Sequence, residues 1–115
     1  MSRRFQSGLA AEEIAERAYA AKGAEVLARR YRTALGEIDL IVQLAGTVVF
    51  VEVKQRARPG PDSPITPRQW SRIAAAAQAW LAETGTALPC RFDAALVGPD
   101  GGLSLVEGAH VPGLD

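Results

Sequence analysis

Four charged side chains interrupt two apolar segments that are predicted to pair as a β-hairpin. They lie in GEIDLIVQLAGTVVFVEVKQR, residues 36–56, and are Glu37, Asp39, Glu52 and Lys54. With a two-residue turn at residues 45–46, Asp39 lies opposite Glu52 and Glu37 lies opposite Lys54, whereas a three-residue turn would break this pairing. Because side chains alternate between the two faces of a strand, all four charges share one face and one end of the hairpin.

The spacing of these charges favours a metal site. Opposed carboxylates in a hairpin lie about 4.5–5.5 Å apart, so Asp39 and Glu52 repel each other and the pKa of one of them rises. A divalent cation between them removes this repulsion, and Mg²⁺ usually takes one or two carboxylates while keeping positions for water and phosphate. Lys54, on the same face, can orient or deprotonate a bound water, or stabilise charge on the phosphate. The pattern therefore predicts phosphodiester hydrolysis with Mg²⁺ or Mn²⁺ as the cofactor.

The alternative is a structural charge cluster on an exposed sheet face. In that case Glu37 and Lys54 would form an ordinary cross-strand ion pair. Like charges placed directly opposite each other destabilise a hairpin, which favours the metal site. The opposite face of the hairpin is almost wholly apolar and is predicted to belong to the core; it holds Ile38, Leu40, Val42, Leu44, Val49, Val51 and Val53.

Periodicity and chain-breaking residues predict the elements around this hairpin. Helices are predicted for residues 8–22 and 67–84, and strands for residues 24–31, 37–44, 47–55, 91–98 and 103–108. The order αβββαβ, followed by a short last strand, predicts an α/β (α+β) fold with a mixed sheet flanked by helices. A single domain over residues 1–115 is expected, with tails at 1–7 and 109–115 and a proline-rich loop at 56–66.

The second helix carries clear local signals. Thr66 is predicted to be its N-cap, with Pro67 at the first helical position and Gln69 completing a capping box. At about 100° per residue, the side chains of Trp70 and Trp80 point in different directions. Trp70 is therefore predicted to lie in the core and Trp80 at its periphery.

Composition limits the classes of function. The 115 residues have zero net charge and one cysteine, Cys90, which excludes a disulfide framework and is typical of a reducing compartment. No segment approaches the roughly 20 apolar residues that span a bilayer, and the N-terminal residues do not resemble a signal peptide. A soluble cytoplasmic protein without membrane contact is expected.

Positive charge is concentrated in one part of the sequence. Between Lys54 and Arg72 there are five basic residues and one acid, whereas residues 92–115 hold four acids and no Lys or Arg. This segregation indicates an anionic partner better than the total charge does. The residues expected to contact the phosphates of a nucleic acid are Arg56, Arg58, Arg68 and Arg72.

Several of these segments resemble a known family. GEIDLI followed by FVEVKQR is similar to the YraN-type family of small bacterial proteins. Asp39 with Glu52-Val53-Lys54 also resembles the D…E-x-K signature of the restriction-endonuclease-like fold. The segments AEEIAERAYAAKG, ITPRQWSRI and RFDAALV resemble further parts of the family, so the resemblance covers most of the chain. Archaeal Holliday-junction resolvases are similar more distantly.

The resemblance implies a nuclease fold and adds a residue to the site. Glu12 matches the glutamate of the family's first helix, which implies that it completes the metal shell directly or through water. Ala11 and Gln69 depart from the family pattern, which usually has glycine and often has lysine at these positions. The implied substrate is a nucleic acid, DNA above all, and cleavage of a junction would require two sites and hence a homodimer. A catalytically silent nucleic-acid-binding module of the same fold and a protein–protein adaptor are the alternatives.

Overall fold

Two helices and five strands make up the fold. The computed structural model describes residues 3–56 and 65–112, with the side chains of the first helix described from residue 10 onward. The elements are α1 (Arg3–Ala21), β1 (Glu25–Arg32), β2 (Glu37–Leu44), β3 (Thr47–Gln55), α2 (Pro67–Thr84), β4 (Cys90–Val97) and β5 (Leu103–His110). The predicted order of helices and strands is confirmed.

The strands form one mixed sheet in the order β1-β2-β3-β4-β5. All neighbours are antiparallel except β3 and β4, which are parallel. Parallel neighbours need a long crossover, and α2 provides it here. The predicted mixed sheet flanked by helices is therefore observed. Within the described residues, neither helix is apolar enough over a sufficient length to cross a bilayer.

A layer of side chains covers each face of the sheet. On one face α1 contributes Ala15 and Tyr19 to a cluster with strand residues Leu40, Val42, Val49, Val51 and Ala95. On the other face α2 packs on a cluster that includes Ile38, Ile41, Val48, Phe50, Phe92, Ala94 and Leu96. The prediction assigned only one face of the β2–β3 hairpin to the core. In the structure the charged residues lie at the end of a sheet that is buried on both faces.

The ends of α2 agree with the sequence prediction, whereas the burial of Trp80 does not. Thr66 is the N-cap and forms the predicted capping box with Gln69, and Gly85 ends the helix in the left-handed conformation. Trp70 is in the core, at 6% exposure. Trp80 was predicted to be peripheral, but it is only 7% exposed, because its ring packs edge-on against Phe50.

The elements extend beyond two of the predicted limits. α1 begins at Arg3 and β5 reaches His110, within the segments 1–7 and 109–115 that the sequence assigned to tails. The ring of His110 stacks on Trp70 at a centroid distance of 5.2 Å and meets Phe92 edge-on, which gives the last strand a place in the core. Of the predicted loop at 56–66, residues 57–64 lie outside the described part of the chain.

The turn between β1 and β2 positions α2 over the sheet. Thr33 closes this turn, since its amide donates to the carbonyl of Gly36 at 2.8 Å and its hydroxyl oxygen accepts from the amide of Gly36 at 3.0 Å. Gly36 is buried against the backbone of Arg72 in α2, so closely that a Cβ there would overlap the Arg72 carbonyl oxygen. The glycine of the GEIDLI segment therefore allows α2 to lie against the start of β2.

Candidate functional site

The hairpin has the register on which the site was predicted. Leu44 pairs with Thr47 across the two-residue turn, and the ladder continues to the pair of Leu40 and Val51. One further step along both strands places Asp39 opposite Glu52. The assumption that brought the two carboxylates together is therefore confirmed.

The start of β2 differs from the prediction in one respect. Ile38 was predicted to share a face with Leu40, but it packs in the α2-side cluster while Leu40 packs in the α1-side cluster. Two residues that are two positions apart normally share a face, so the strand rotates at Asp39. The neighbouring strand β1 is also irregular at the position that faces Asp39, as described below.

Asp39 connects two strands that no longer form a regular ladder. Its Oδ2 atom accepts a hydrogen bond of 2.8 Å from the amide of Val53. This amide lies beyond the last paired residues, Leu40 and Val51, so the carboxylate replaces a backbone acceptor. The bond fixes the orientation of the Asp39 side chain.

Glu52 lies beside Asp39 and is held by the other neighbouring strand. β3 remains paired with β4 along this stretch, with Glu52 next to Ala94 and Lys54 next to Leu96. Burial, followed by the hydrogen bond to Asp39 and the negative charge of Asp39, raises the pKa of Glu52 to about 9. The positive charge of Lys54 acts in the opposite direction and lowers this pKa. Without a cation, Glu52 therefore keeps its proton at neutral pH and is hydrogen-bonded to Asp39.

This arrangement can bind a hard cation. Asp39 and Glu52 would hold a divalent ion once Glu52 loses its proton, since two carboxylates are a usual protein contribution to a Mg²⁺ site. Asp39 would coordinate through the electron pairs that its bond to Val53 does not use. Lys54 is half-buried and close enough to Glu52 to affect its pKa, so its ammonium group can reach a water or phosphate oxygen at the same ion.

Glu37 pairs with Arg32, whereas the structural alternative allowed a cross-strand pair between Glu37 and Lys54. Its carboxylate forms an ion pair with Arg32 of β1, with Nε and Oε1 3.2 Å apart. The two residues are directly opposite each other in the β1–β2 ladder. Both side chains are exposed, so this contact belongs to the surface of the sheet.

Glu12 forms an ion pair with Arg30 and lines the same depression as Asp39. Its two carboxylate oxygens accept from Nε and Nη2 of Arg30 at 2.9 and 3.4 Å. Across residues 3–56 and 65–112, no three His, Cys, Asp or Glu side chains are grouped so that they could hold a metal ion. The structure thus brings Asp39 and Glu52 together and joins Glu12 to Arg30.

Arg30 is the site residue that the sequence did not single out. Its backbone has a φ of 49°, in the left-handed region, although it lies within β1. The pairs of Arg29 with Leu40 and of Tyr31 with Ile38 place Arg30 opposite Asp39. The cluster ARRYR was visible in the sequence, but an arginine gives no signal for a left-handed conformation, which favours Gly, Asn or Asp.

The predicted phosphate contacts lie on two elements. Arg56 follows β3 directly, and its amide donates to the carbonyl of Val97 at 2.8 Å. Arg68 and Arg72 are exposed on the first two turns of α2. Arg58 falls outside the described residues. The described arginines therefore lie at the end of β3 and at the start of α2.

Asp93 has a structural role. It is completely buried and accepts hydrogen bonds from the Tyr19 hydroxyl at 2.7 Å, from Arg91 and from the amide of Gly108. Burial, together with the bond to Asp93, raises the pKa of Tyr19, so its hydroxyl stays protonated. These contacts join α1 to β4 and β5. Asp93 therefore stabilises the packing of the fold and is not a member of the carboxylate pair.

The fold and the carboxylate pair define a small α+β domain with a polar site at the end of its central hairpin. Residues 11–97 match the model of a family described as "Uncharacterised protein family UPF0102". The chain belongs to this family, which is the YraN-type family that its sequence motifs resemble.

Similar proteins come from several bacteria. The chain is 47% identical over 98 residues to a UPF0102 protein of Rhodopseudomonas palustris (strain HaA2), an alignment that covers 83% of this chain and 77% of the relative. It is 50% identical over 98 residues to one from Bradyrhizobium sp. (strain ORS 278), covering 83% of this chain and 70% of the relative. A third relative, from Rhodopseudomonas palustris (strain ATCC BAA-98 / CGA009), is 42% identical over 112 residues, or 95% of this chain and 82% of the relative.

Proposed function

We propose that the chain is a metal-dependent nuclease that hydrolyses phosphodiester bonds of nucleic acids. One observation carries the proposal: Asp39 and Glu52 meet at the end of the hairpin, where burial and mutual repulsion raise the pKa of Glu52 to about 9. Such perturbed pairs are typical of functional sites, and a hard cation between the two acids would relieve the repulsion.

Each residue of the site has a defined task. Asp39 and Glu52 bind Mg²⁺ or Mn²⁺, and the amide of Val53 keeps Asp39 in position for this. The bound ion supplies a Lewis acid and lowers the pKa of its water. Lys54 orients that water, or accepts its proton, and its charge also counters the negative charge of the phosphate.

A purely structural cluster accounts less well for these contacts. A buried acid with a structural role is stabilised by a cation that pairs with it, as Asp93 is by Arg91. Asp39 and Glu52 are instead hydrogen-bonded to each other, with Lys54 near Glu52, while Arg30, opposite Asp39, pairs with Glu12. Placing two half-buried acids next to each other lowers the stability of the folded protein, and binding of a metal ion would account for this arrangement.

The proposed substrate is DNA, reached through phosphate contacts of Arg56, Arg68 and Arg72. These residues follow the end of β3 and begin α2, so they flank the exit of the chain from the site. Arg58 belongs to the same basic segment of sequence. A cytoplasmic location and a homodimer for branched substrates complete the proposal.

A cleavage panel tests it. Linear, flapped, four-way and single-stranded DNA, and RNA, would be incubated with the protein in Mg²⁺, Mn²⁺ or EDTA. We expect metal-dependent cleavage that Lys54→Ala abolishes. The chain contains only one other lysine, Lys22, which pairs with Glu107, so Lys22→Ala is the matched control and should cleave normally.

The alternatives give different results in the same panel. A silent binding module would bind nucleic acid without cleaving any substrate in any metal. An adaptor would bind no nucleic acid at any salt concentration. Cleavage that persists in EDTA, or that Lys54→Ala leaves intact, would contradict the proposed site.

A further inference from the structure

Arg30 has an unusual backbone for its place in the fold. Among the described non-glycine residues, positive φ angles occur only at Arg30 and at Ala45. Ala45 lies in the two-residue turn of the hairpin, where such an angle is required. Arg30 lies inside a strand, where it is not. Strained residues of this kind persist when the surrounding structure holds them, and they concentrate at functional sites.

The left-handed backbone of Arg30 occurs at the strand position next to the candidate site. Arg30 lies opposite Asp39 in the register of β1 and β2. Both residues, together with Glu12, line one depression of about 420 Å³ between α1 and the sheet. Hydrogen bonding to Glu12, and then the charges of Glu12, Glu37 and Asp39, raise the pKa of Arg30. The guanidinium thus lies among the acids of this depression, which Glu16 and Arg29 also line.

Glu12 fixes the guanidinium and leaves part of it available. The carboxylate takes Nε and one hydrogen of Nη2, and a guanidinium has five N–H donors. Three donors are therefore not used by Glu12, and the Arg30 side chain is 39% exposed. A planar fork held on one edge is suited to bidentate contact with an oxyanion on its other edge.

We infer that Arg30 binds the phosphate that is cleaved, and that Glu12 is a positioning residue for Arg30, not a metal ligand. The inference rests on the proposed function. A phosphate that coordinates a cation held by Asp39 and Glu52 must lie beside Asp39, and the residue opposite Asp39 is Arg30. Arg30 would stabilise the negative charge of the phosphate, which grows as water attacks.

The chain offers a matched control on the same two elements. Arg29 donates to Glu16 through Nε at 2.7 Å and Nη2 at 2.9 Å, again joining β1 to α1. Arg29 lies opposite Leu40 and has no positive φ. If the role of Arg30 were only to tether α1 to the sheet, the two ion pairs would respond alike to substitution.

The experiment compares Arg30→Asn and Glu12→Gln with Arg29→Asn and Glu16→Gln. Asn tolerates the left-handed conformation, so Arg30→Asn removes the charge without forcing a new backbone, and Arg30→Gly serves as a second variant for the same reason. For each protein, kcat and KM for DNA cleavage and the Kd for Mn²⁺ without DNA are measured, with thermal melting as the check of folding.

We expect Arg30→Asn to lower kcat/KM about 100-fold or more, as loss of a donor to transition-state charge does. The same variant should bind Mn²⁺ as tightly as the wild type or more tightly, because a positive charge next to Asp39 is gone. Glu12→Gln should lower kcat/KM and leave the Mn²⁺ Kd unchanged. Arg29→Asn and Glu16→Gln, whose side chains line the same depression but whose strand position faces Leu40 and not Asp39, should lower kcat/KM far less and leave the Mn²⁺ Kd unchanged.

Three results would overturn the inference. The first is a Mn²⁺ Kd that rises about tenfold or more in Glu12→Gln, which would make Glu12 a metal ligand. The second is wild-type cleavage by Arg30→Asn and Arg30→Gly. The third is an equal loss in the Arg29 variant. A failure of the proposed function would be distinguishable from a failure of this inference. If the wild type cleaves nothing in any metal, the nuclease proposal is refuted. The Mn²⁺ titration of Glu12→Gln would still decide whether Glu12 is a metal ligand.

Discussion

The amide of Val53 donates a 2.8 Å hydrogen bond to Oδ2 of Asp39, beyond the last ladder pair of β2 and β3. The same carboxylate is therefore both a support for the backbone and a proposed metal ligand. Substitutions at this position separate the two roles.

Asp39→Ala should destabilise the protein by about 1–3 kcal/mol, because it leaves the half-buried Val53 amide without its acceptor. Asp39→Asn retains an acceptor oxygen and removes the repulsion with Glu52, so it should unfold close to or above the metal-free wild type. Neither variant should bind Mn²⁺ tightly. Urea unfolding in EDTA measures the change in stability, and calorimetric titration measures the binding of Mn²⁺. Equal stability of the two variants would show that the bond to Val53 contributes nothing.

The stability of the metal-free protein should fall as pH rises from about 4.5 to about 9. Glu52 has its ordinary pKa near 4.5 when unfolded and about 9 when folded. The folded state therefore binds the extra proton in this window, and the stabilisation that is complete below pH 4.5 is lost as pH passes the folded pKa. The slope from one proton is at most about 1.4 kcal/mol per pH unit. Denaturation between pH 5 and 9 in EDTA measures it, and Glu52→Gln should remove this part of the slope.

Metal should stabilise the folded state through the same residues. A cation that binds only the folded chain adds RT ln(1 + [L]/Kd), or about 2.7 kcal/mol at a hundredfold excess over Kd. Mn²⁺ should therefore raise the Tm of the wild type, and EDTA should reverse the rise. Glu52→Gln should melt at or above the metal-free wild type and gain little from Mn²⁺. Lys54→Ala should be less stable in EDTA and still respond to metal. A full Mn²⁺ response in Glu52→Gln would exclude Glu52 as a ligand.

Nucleic-acid affinity should fall steeply with salt, because phosphate contacts release bound counterions. Arg56→Ala and Arg72→Ala should each weaken binding and reduce the slope of log K against log [salt] by about one unit. The comparison residue is Arg17, an exposed arginine of α1 that forms an ion pair with Glu13, and its substitution should leave the slope unchanged. An unaltered slope in the double variant would remove the basic segment from the binding surface.

Gly36→Ala should destabilise the fold by about 1–3 kcal/mol, since the new Cβ would force α2 away from the start of β2. Gly98→Ala is a suitable control, because its Cβ would approach an Asp100 side-chain oxygen at 3.1 Å and would meet the backbone oxygen of Gly102 only at an ordinary contact distance of 3.7 Å. Because Gly36 lies three residues before Asp39, the variant should also weaken Mn²⁺ binding. Thermal melting and a Mn²⁺ titration on both variants test the link between the turn and the site.

The parts of the site that were predictable are those set by local rules. Period-two alternation and a two-residue turn determine which residues face each other, and they placed Asp39 opposite Glu52 correctly. The capping box of Thr66 and Gln69 was likewise readable from neighbouring residues alone. The family resemblance added Glu12 to the predicted site, and in the structure Glu12 lines the same depression as Asp39. The resemblance did not indicate that Glu12 would pair with Arg30.

The parts that were missed depend on distant contacts. The left-handed backbone of Arg30 is imposed by packing across β1 and β2, and arginine itself does not favour it. Ile38 lies on the face of α2, against simple alternation. Trp80 was placed at the periphery because helical angles alone do not show how widely the sheet extends beneath α2. Each error concerns a residue whose position is set by another strand or helix.

Both edges of the sheet are irregular, and this affects how copies of the protein can associate. β1 has a register shift between Val26 and Ala28, and β5 has one opposite Phe92 and Ala94, near the left-handed Gly108. Bulges of this kind prevent an edge strand from acting as a template for further strands, which protects against aggregation. A second copy therefore finds no straight edge at which to continue the sheet. The left-handed backbone of Arg30 lies in one of these edge strands, and it adds a second irregularity to the edge of the sheet formed by β1.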